Sequence, residues 1–122
     1  MTLQELYSEI GGNYDQAVSV LRVDKLIDKH IRRFIENGVV ENLLEAGKTM
    51  NPNDLFERGH AVKGVCANLG LSKLSELASE ITDDFRPGNQ RKLSDAEVSE
   101  KLREIEELYK KTVDGIKSYE EL

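Results

Sequence analysis

Helical periodicity runs through almost the whole chain and constrains its fold more than any other feature. Apolar residues recur at spacings of three and four, as in the series Ile27, Ile31 and Phe34. No run of four or more residues alternates between apolar and polar side chains, as a half-buried strand would. The sequence therefore predicts an all-α protein.

Capping signals divide the first third of the chain into short helices. Thr2, with Glu5 three positions later, forms the pattern of a capping box that opens a first helix. Asn13 can cap a second helix, and Asp24 can cap a third. We therefore expect three short helices within residues 2–37.

The remainder of the chain carries four further helical patterns. A short helix begins near Val39, and Gly47 is expected to end it. Asn53 and Ser72 are the expected N-caps of the next two helices. Ser94, with a glutamate three residues later, predicts a capping box at the start of the last helix.

Short connections between successive helices favour antiparallel neighbours. We therefore predict an up-down antiparallel four-helix bundle over about residues 39–120. The additional short N-terminal helices, about residues 2–37, would cover one end of that bundle. A chain of 122 residues has the length of one ordinary domain, so residues 1–122 are interpreted as a single unit.

Composition excludes several classes of protein. The net charge of -6 argues against a nucleic-acid binder, because such proteins neutralise phosphates with basic residues. The single cysteine, Cys66, excludes an intrachain disulfide and a multi-cysteine zinc site, so no metal is expected. The sequence shows neither a signal peptide nor an apolar run of bilayer length. We expect a cytoplasmic monomer that does not bind membranes.

A helical wheel separates the segment from Leu55 to Leu69 into two faces. The face expected to point into the core holds mostly apolar side chains: Leu55, Gly59, Val62, Val65, Cys66 and Leu69. The face expected to point outward holds a different set: Phe56, His60, Lys63, Gly64 and Ala67.

The outward face combines groups suited to phosphoryl chemistry. An exposed imidazole such as that of His60 is a nucleophile near neutral pH, and Lys63 at i+3 can offset phosphoryl charge. Gly64 costs about 0.5–1 kcal/mol in a helix interior, which makes sense if a partner must approach the backbone there. Phe56 and Ala67 are the expected docking residues beside it. The alternative is a surface histidine followed by a surface lysine, which many helices contain by chance.

The segment also resembles a known family. Its residues His60, Lys63, Gly64 and Gly70 match the signature H-x-x-K-G-x-x-x-x-x-G of histidine-containing phosphotransfer (HPt) domains, which are four-helix bundles. The resemblance covers about residues 24–85 well and the last helix only in its pattern. The first 23 residues lie outside it.

This resemblance implies roles for individual residues. His60 would be the phosphorylated residue, Lys63 would help to hold the phosphoryl group, and Gly64 would admit the receiver's active site. Many family members carry a glutamine or a basic residue on the following helix, close to the histidine. Thr82 and Arg86 are the candidates for that position here.

The resemblance implies a carrier in a two-component phosphorelay, with response-regulator receiver domains as partners. A hybrid histidine kinase is a further candidate partner. The sequence has no Walker loop and no kinase signature, so we expect no kinase activity and no cofactor of its own. Any Mg²⁺ in the transfer would belong to the receiver.

Two other functions fit the same residues. One is a phosphorylation-independent helical adaptor that uses the same face only to bind a receiver or kinase domain. The other is the phosphoacceptor domain of a chemotaxis-type kinase, which is less favoured because the chain ends soon after the bundle.

Overall fold

The structure, a computed structural model, describes residues 1–120. Those residues form seven α-helices and no strand, which confirms the all-α prediction. The helices follow one another along the chain as α1 (Leu3–Ile10), α2 (Tyr14–Leu21), α3 (Asp24–Phe34), α4 (Val39–Thr49), α5 (Pro52–Asn68), α6 (Ser72–Asp84) and α7 (Asp95–Glu120).

Helices α4 to α7 close into a ring in which α4 packs on α5, α5 on α6, α6 on α7 and α7 on α4. The contacts between α5 and α6 show opposite chain directions. Gly59 lies against Thr82, whereas the Ser75 hydroxyl donates to the Lys63 carbonyl at 3.1 Å. A later position on α5 therefore meets an earlier one on α6.

Helices α4 and α7 are antiparallel by the same criterion. Gly47 lies against Leu102, and the Tyr109 hydroxyl donates to the Glu41 carboxylate at 2.9 Å. Because α4 turns directly into α5, all successive helices of the ring alternate in direction. The predicted up-down four-helix bundle is confirmed.

The three N-terminal helices pack on the outside of this bundle. Helix α1 lies on α7, where Gly115 makes room for the side chain of Ile10. The buried Tyr7 hydroxyl donates to the Leu69 carbonyl at 2.6 Å. Helix α2 contacts α3 and α5, and α3 contacts α7. The N-terminal segment is thus tied to the end of α5.

Three of the predicted helix starts have the expected caps. At the start of α1, Thr2 and Glu5 exchange reciprocal hydrogen bonds, which is a complete capping box. Ser94 and Glu97 form the same pair before α7, at 3.1 Å in both directions. Asn13 accepts a hydrogen bond from the third residue of α2, so these positions were correctly predicted.

The start of α5 lies two residues earlier than the sequence indicated. Asn51, not Asn53, is the N-cap, and its side chain accepts from the backbone N–H three residues later at 3.1 Å. Pro52 occupies the first helical position. Proline is favoured there because its fixed φ suits a helix start and its missing N–H needs no partner.

The expected caps of α3 and α6 are also wrong by one residue. Asp24 and Ser72 are the first helical residues, and neither helix has a side-chain hydrogen bond at its N-cap. The Asp24 carboxylate instead accepts a hydrogen bond from the Tyr14 hydroxyl of α2. At the start of α3, a contact with α2 has therefore replaced the expected N-cap hydrogen bond.

Gly47 does not end α4, contrary to the prediction. The helix continues to Thr49, and Met50 adopts the left-handed conformation (φ 57°) at its C-cap. A Cβ atom at position 47 would collide with Leu102 of α7. Gly47 therefore serves close packing between two helices instead of termination.

Candidate functional site

Helix α5 buries one side and exposes the other, largely as its wheel predicts. The core-facing residues Leu55, Val62 and Cys66 have no exposed surface. Val65 is an exception, because it is half-buried where α5 meets the N-terminal helices. The expected core face is therefore correct except for Val65, which is only half-buried.

His60 lies on the exposed side of α5, with Gly64 one turn further along. A Cβ atom built on Gly64 would find no heavy atom within 4 Å apart from its chain neighbours and the adjoining backbone of α5. The helix surface beside the imidazole is therefore open, and no packing contact accounts for the glycine. Ala67 follows at i+3 from Gly64 and is half-buried.

Lys63 is half-buried beside His60, three residues along the same helix. Among residues 1–120, the ion pairs join other basic residues to carboxylates and leave the Lys63 ammonium without a partner. Its charge is available to an anion that reaches the His60 ring.

Phe56 is not the freely exposed aromatic that the wheel predicts. It is half-buried, and its ring centroid lies 6.1 Å from that of His60 with 21° between the two planes. The guanidinium carbon of Arg86 lies 5.5 Å from the Phe56 ring centroid. Arg86 also forms an ion pair with Asp83 at 3.1 Å. The fold thus brings Arg86, Phe56 and His60 together.

Thr82 faces the buried side of α5 next to Gly59, not the exposed side that carries His60. It is fully buried, and its hydroxyl donates to the Ala78 carbonyl at 2.7 Å. A Cβ atom on Gly59 would lie 2.7 Å from Thr82 Oγ1. This placement does not fit the expected contact with a phosphoryl group and leaves Arg86, in the turn after α6, as the remaining candidate.

The family model of the Hpt domain matches residues 34–114, about two thirds of the chain, including all of α4, α5 and α6. The chain belongs to the Hpt domain family. No curated protein and no solved structure matches it. Hpt domains are phosphocarrier modules that interact with receiver domains and lack kinase activity of their own. Membership implies a phosphotransfer role in two-component signalling.

The other histidine of this Hpt domain, His30, is less exposed than His60 and lies on a different helix. His30 is half-buried on α3 and precedes the matched range. It lines a groove of about 280 Å³ between the N-terminal helices and α5. The sequence did not predict this groove, because its lining residues lie far apart along the chain: Leu21, His30, Arg33, Asn37, Val65, Asn68 and Leu69.

Cys66 faces the core and takes no part in the surface chemistry. It is fully buried, and burial raises the pKa of its thiol to about 12. A thiol held neutral in this way is a poor nucleophile and metal ligand. The structure thus places Cys66 as the small apolar side chain that its wheel position indicated.

Two further findings concern metals and membranes. Across residues 1–120, no three His, Cys, Asp or Glu side chains converge in a way that could hold a metal ion. In the same part of the chain, each helix is too short or too polar to cross a bilayer.

Proposed function

We propose that this Hpt domain accepts a phosphoryl group on His60 from the aspartyl phosphate of a receiver domain and passes it to another receiver. The observation that carries the proposal is the setting of His60. It is exposed beside an open glycine and lies within the family match. His30 has neither property.

The chemistry needs little from the protein beyond an oriented imidazole. A neutral ring nitrogen of His60 attacks phosphorus in line, so that an N–P bond forms as the P–O bond to aspartate breaks. The aspartate leaves as a carboxylate, and the proton on the other ring nitrogen is lost to solvent. Transfer to a second receiver runs the same step in reverse.

Lys63 is a free cation available to offset phosphoryl charge, and a second cation, Arg86, lies nearby but is paired with Asp83. Lys63 is unpaired within residues 1–120, and Arg86 and the imidazole both contact the Phe56 ring. Positive charge near the equatorial oxygens stabilises the transition state. In this scheme the chain needs no cofactor, and any Mg²⁺ comes with the receiver.

The partner surface surrounds the imidazole. Gly64 leaves the backbone uncovered, and Ala67 adds only a methyl group, so a receiver's aspartate pocket can approach α5 closely. In this proposal the protein is a cytoplasmic monomer that binds one receiver at a time. The receiver domain of a hybrid histidine kinase would supply the phosphoryl group.

A transfer assay tests the proposal directly. The full chain is mixed with a receiver that carries ³²P on its aspartate, and acid-labile, base-stable label on the chain is measured. We expect label on the wild type and none above background on His60→Gln. His30→Gln is the matched control, because it removes the other histidine, and it should label like the wild type.

Two results would contradict the proposal. One is wild-type protein that stays unlabelled with every receiver of its host. The other is His60→Gln that labels as well as the wild type. Receiver binding that is equal in wild type and His60→Gln, without transfer in either direction, would instead support the phosphorylation-independent adaptor.

A further inference from the structure

Two aromatic side chains of α5 and one arginine from the turn after α6 lie together at the candidate site. The His60 imidazole lies 21° from parallel to the Phe56 ring, with centroids 6.1 Å apart. The Arg86 guanidinium covers Phe56 at 5.5 Å. Both distances lie within the ranges of aromatic stacking and of cation–π contact.

Phe56 is itself held in place. It is half-buried and packs against the hydrophobic core. Arg86, which covers its ring, is anchored by the ion pair with Asp83. A ring fixed in this way is a rigid neighbour for a side chain that is otherwise free on a helix surface.

An exposed histidine samples several rotamers, and only those that present a ring nitrogen to the partner can react. A stacked neighbour favours one orientation of the ring plane and so reduces the entropy lost on reaching the reactive geometry. Phe56 has no polar atom of its own to offer a phosphoryl group.

We propose that Phe56 is a positioning residue for phosphoryl transfer, which holds the His60 imidazole in its reactive orientation through the Arg86–Phe56–His60 stack. This rests on the proposed function of His60. It differs from the docking role that the sequence indicated for Phe56, because a positioning residue acts on the imidazole even when no receiver is present.

A small phosphoryl donor separates the two roles. Phosphoramidate transfers its phosphoryl group directly to an imidazole: its P–N bond breaks, an N–P bond to the ring forms, and the ring proton leaves with ammonia. Phe56→Leu and Phe56→Tyr are compared with wild type, using phosphoramidate and a phosphorylated receiver as donors. Circular dichroism verifies that each variant is folded.

We expect Phe56→Leu to lower the rate of His60 labelling roughly three- to tenfold with both donors, the range that loss of one aromatic contact gives. Phe56→Tyr keeps the ring and should stay within about twofold of wild type. The NMR signals of the His60 ring protons should show a ring-current shift in wild type and Phe56→Tyr and lose it in Phe56→Leu. If Phe56→Leu does not fold, Phe56→Met takes its place.

Normal labelling of Phe56→Leu by phosphoramidate would overturn the positioning role, whether or not transfer from the receiver is slowed. Absence of the ring-current shift in wild type would overturn it as well. Failure of the proposed function is distinguishable, because wild type would then take no label from a phosphorylated receiver, whatever its labelling by phosphoramidate.

Discussion

Gly59 and Gly64 lie five residues apart in α5, and the helical wheel assigns them to different faces of the helix. In the structure, Gly59 is buried, and a Cβ atom there would lie 2.7 Å from Thr82 Oγ1. Gly64 is exposed, and a Cβ atom there would touch nothing. One glycine lets two helices pack closely, and the other leaves the helix surface uncovered.

The two glycines mark two faces of one helix with separate tasks. The face of Gly59 contributes burial and holds α5 on α6. The face of Gly64 carries the imidazole and its cation, and it contributes little to packing. Changes on the first face should therefore affect the free energy of unfolding, and changes on the second should affect the rate of transfer.

The largest expected effect is that of Gly59→Val. The added side chain meets Thr82, whose hydroxyl is committed to the Ala78 carbonyl. Overpacking of this kind lowers the free energy of unfolding by about 1–3 kcal/mol or more, measurable by urea denaturation. Gly64→Val is the matched control and should unfold within about 0.5 kcal/mol of wild type, as surface changes do. Equal losses for the two variants would abolish the distinction between the faces.

Gly64→Gln should give the converse result. Its side chain stands beside His60, where nothing else is packed, so the urea midpoint should stay close to wild type. The rate of transfer from a phosphorylated receiver should fall about tenfold or more, because misplacement of the reacting groups by even 1 Å is costly. Labelling by phosphoramidate should be affected less. A variant that unfolds while its folded fraction transfers normally would show that the exposed face has been wrongly assigned.

The buried face of α5 should also affect the pH dependence of the free energy of unfolding, through Cys66. Burial raises the pKa of Cys66 to about 12, while an unfolded thiol titrates near its ordinary value of 9. The contribution of the buried thiol to the free energy of unfolding is therefore fully present below pH 9 and is lost as the pH rises towards 12. Between pH 8 and pH 10 the loss from this thiol should be on the order of 1 kcal/mol by proton linkage.

The matched variant for that measurement is Cys66→Ala. It loses stability at every pH, but its free energy of unfolding should fall by less between pH 8 and pH 10. Tyr7, whose pKa burial also raises, is common to both proteins and cancels in the comparison. For Tyr109 only the contributions of burial and Glu41 cancel, because Cys66 itself also raises the pKa of Tyr109. Parallel curves for the two proteins would contradict a buried Cys66.

The smallest effect is that of Gly64→Ala. Alanine has the better helix propensity by about 0.8–1.0 kcal/mol, and no neighbour opposes its methyl group, so the variant should be more stable than wild type by about that amount. A thermal unfolding scan measures the gain. Destabilisation would indicate a close neighbour at Gly64.

The exposed side of α5 could be predicted from sequence because the helical period alone decides which side chains share a face. His60, Lys63 and Gly64 follow from that period, and their placement needs no knowledge of other helices. Phe56 and Thr82 could not be placed in the same way. Their surroundings depend on where α6 lies. Only the packed structure shows that Arg86 covers Phe56 and that Gly59 packs against Thr82.

Helix ends show the same limit. Asn51 and Asn53 are both acceptable caps for α5, and the preference of Pro52 for the first helical position decides between them. Gly47 carries a stop signal in the sequence but fills a packing role against Leu102. A local signal predicts a helix end only where no tertiary contact competes with it.

The link between Gly70 and the N-terminal segment bears on modularity. Gly70 has φ 71°, its carbonyl accepts the Asn13 N–H at 2.7 Å, and a side chain there would collide with the Asn13 carbonyl. A chimera that contains only residues 34–114 would lack the Asn13 N–H and the Tyr7 hydroxyl. The carbonyls of Gly70 and Leu69 after α5 would then lose these two hydrogen-bond donors. For recombination or grafting, the transferable unit of this protein is therefore longer than the family segment and begins at its first helix.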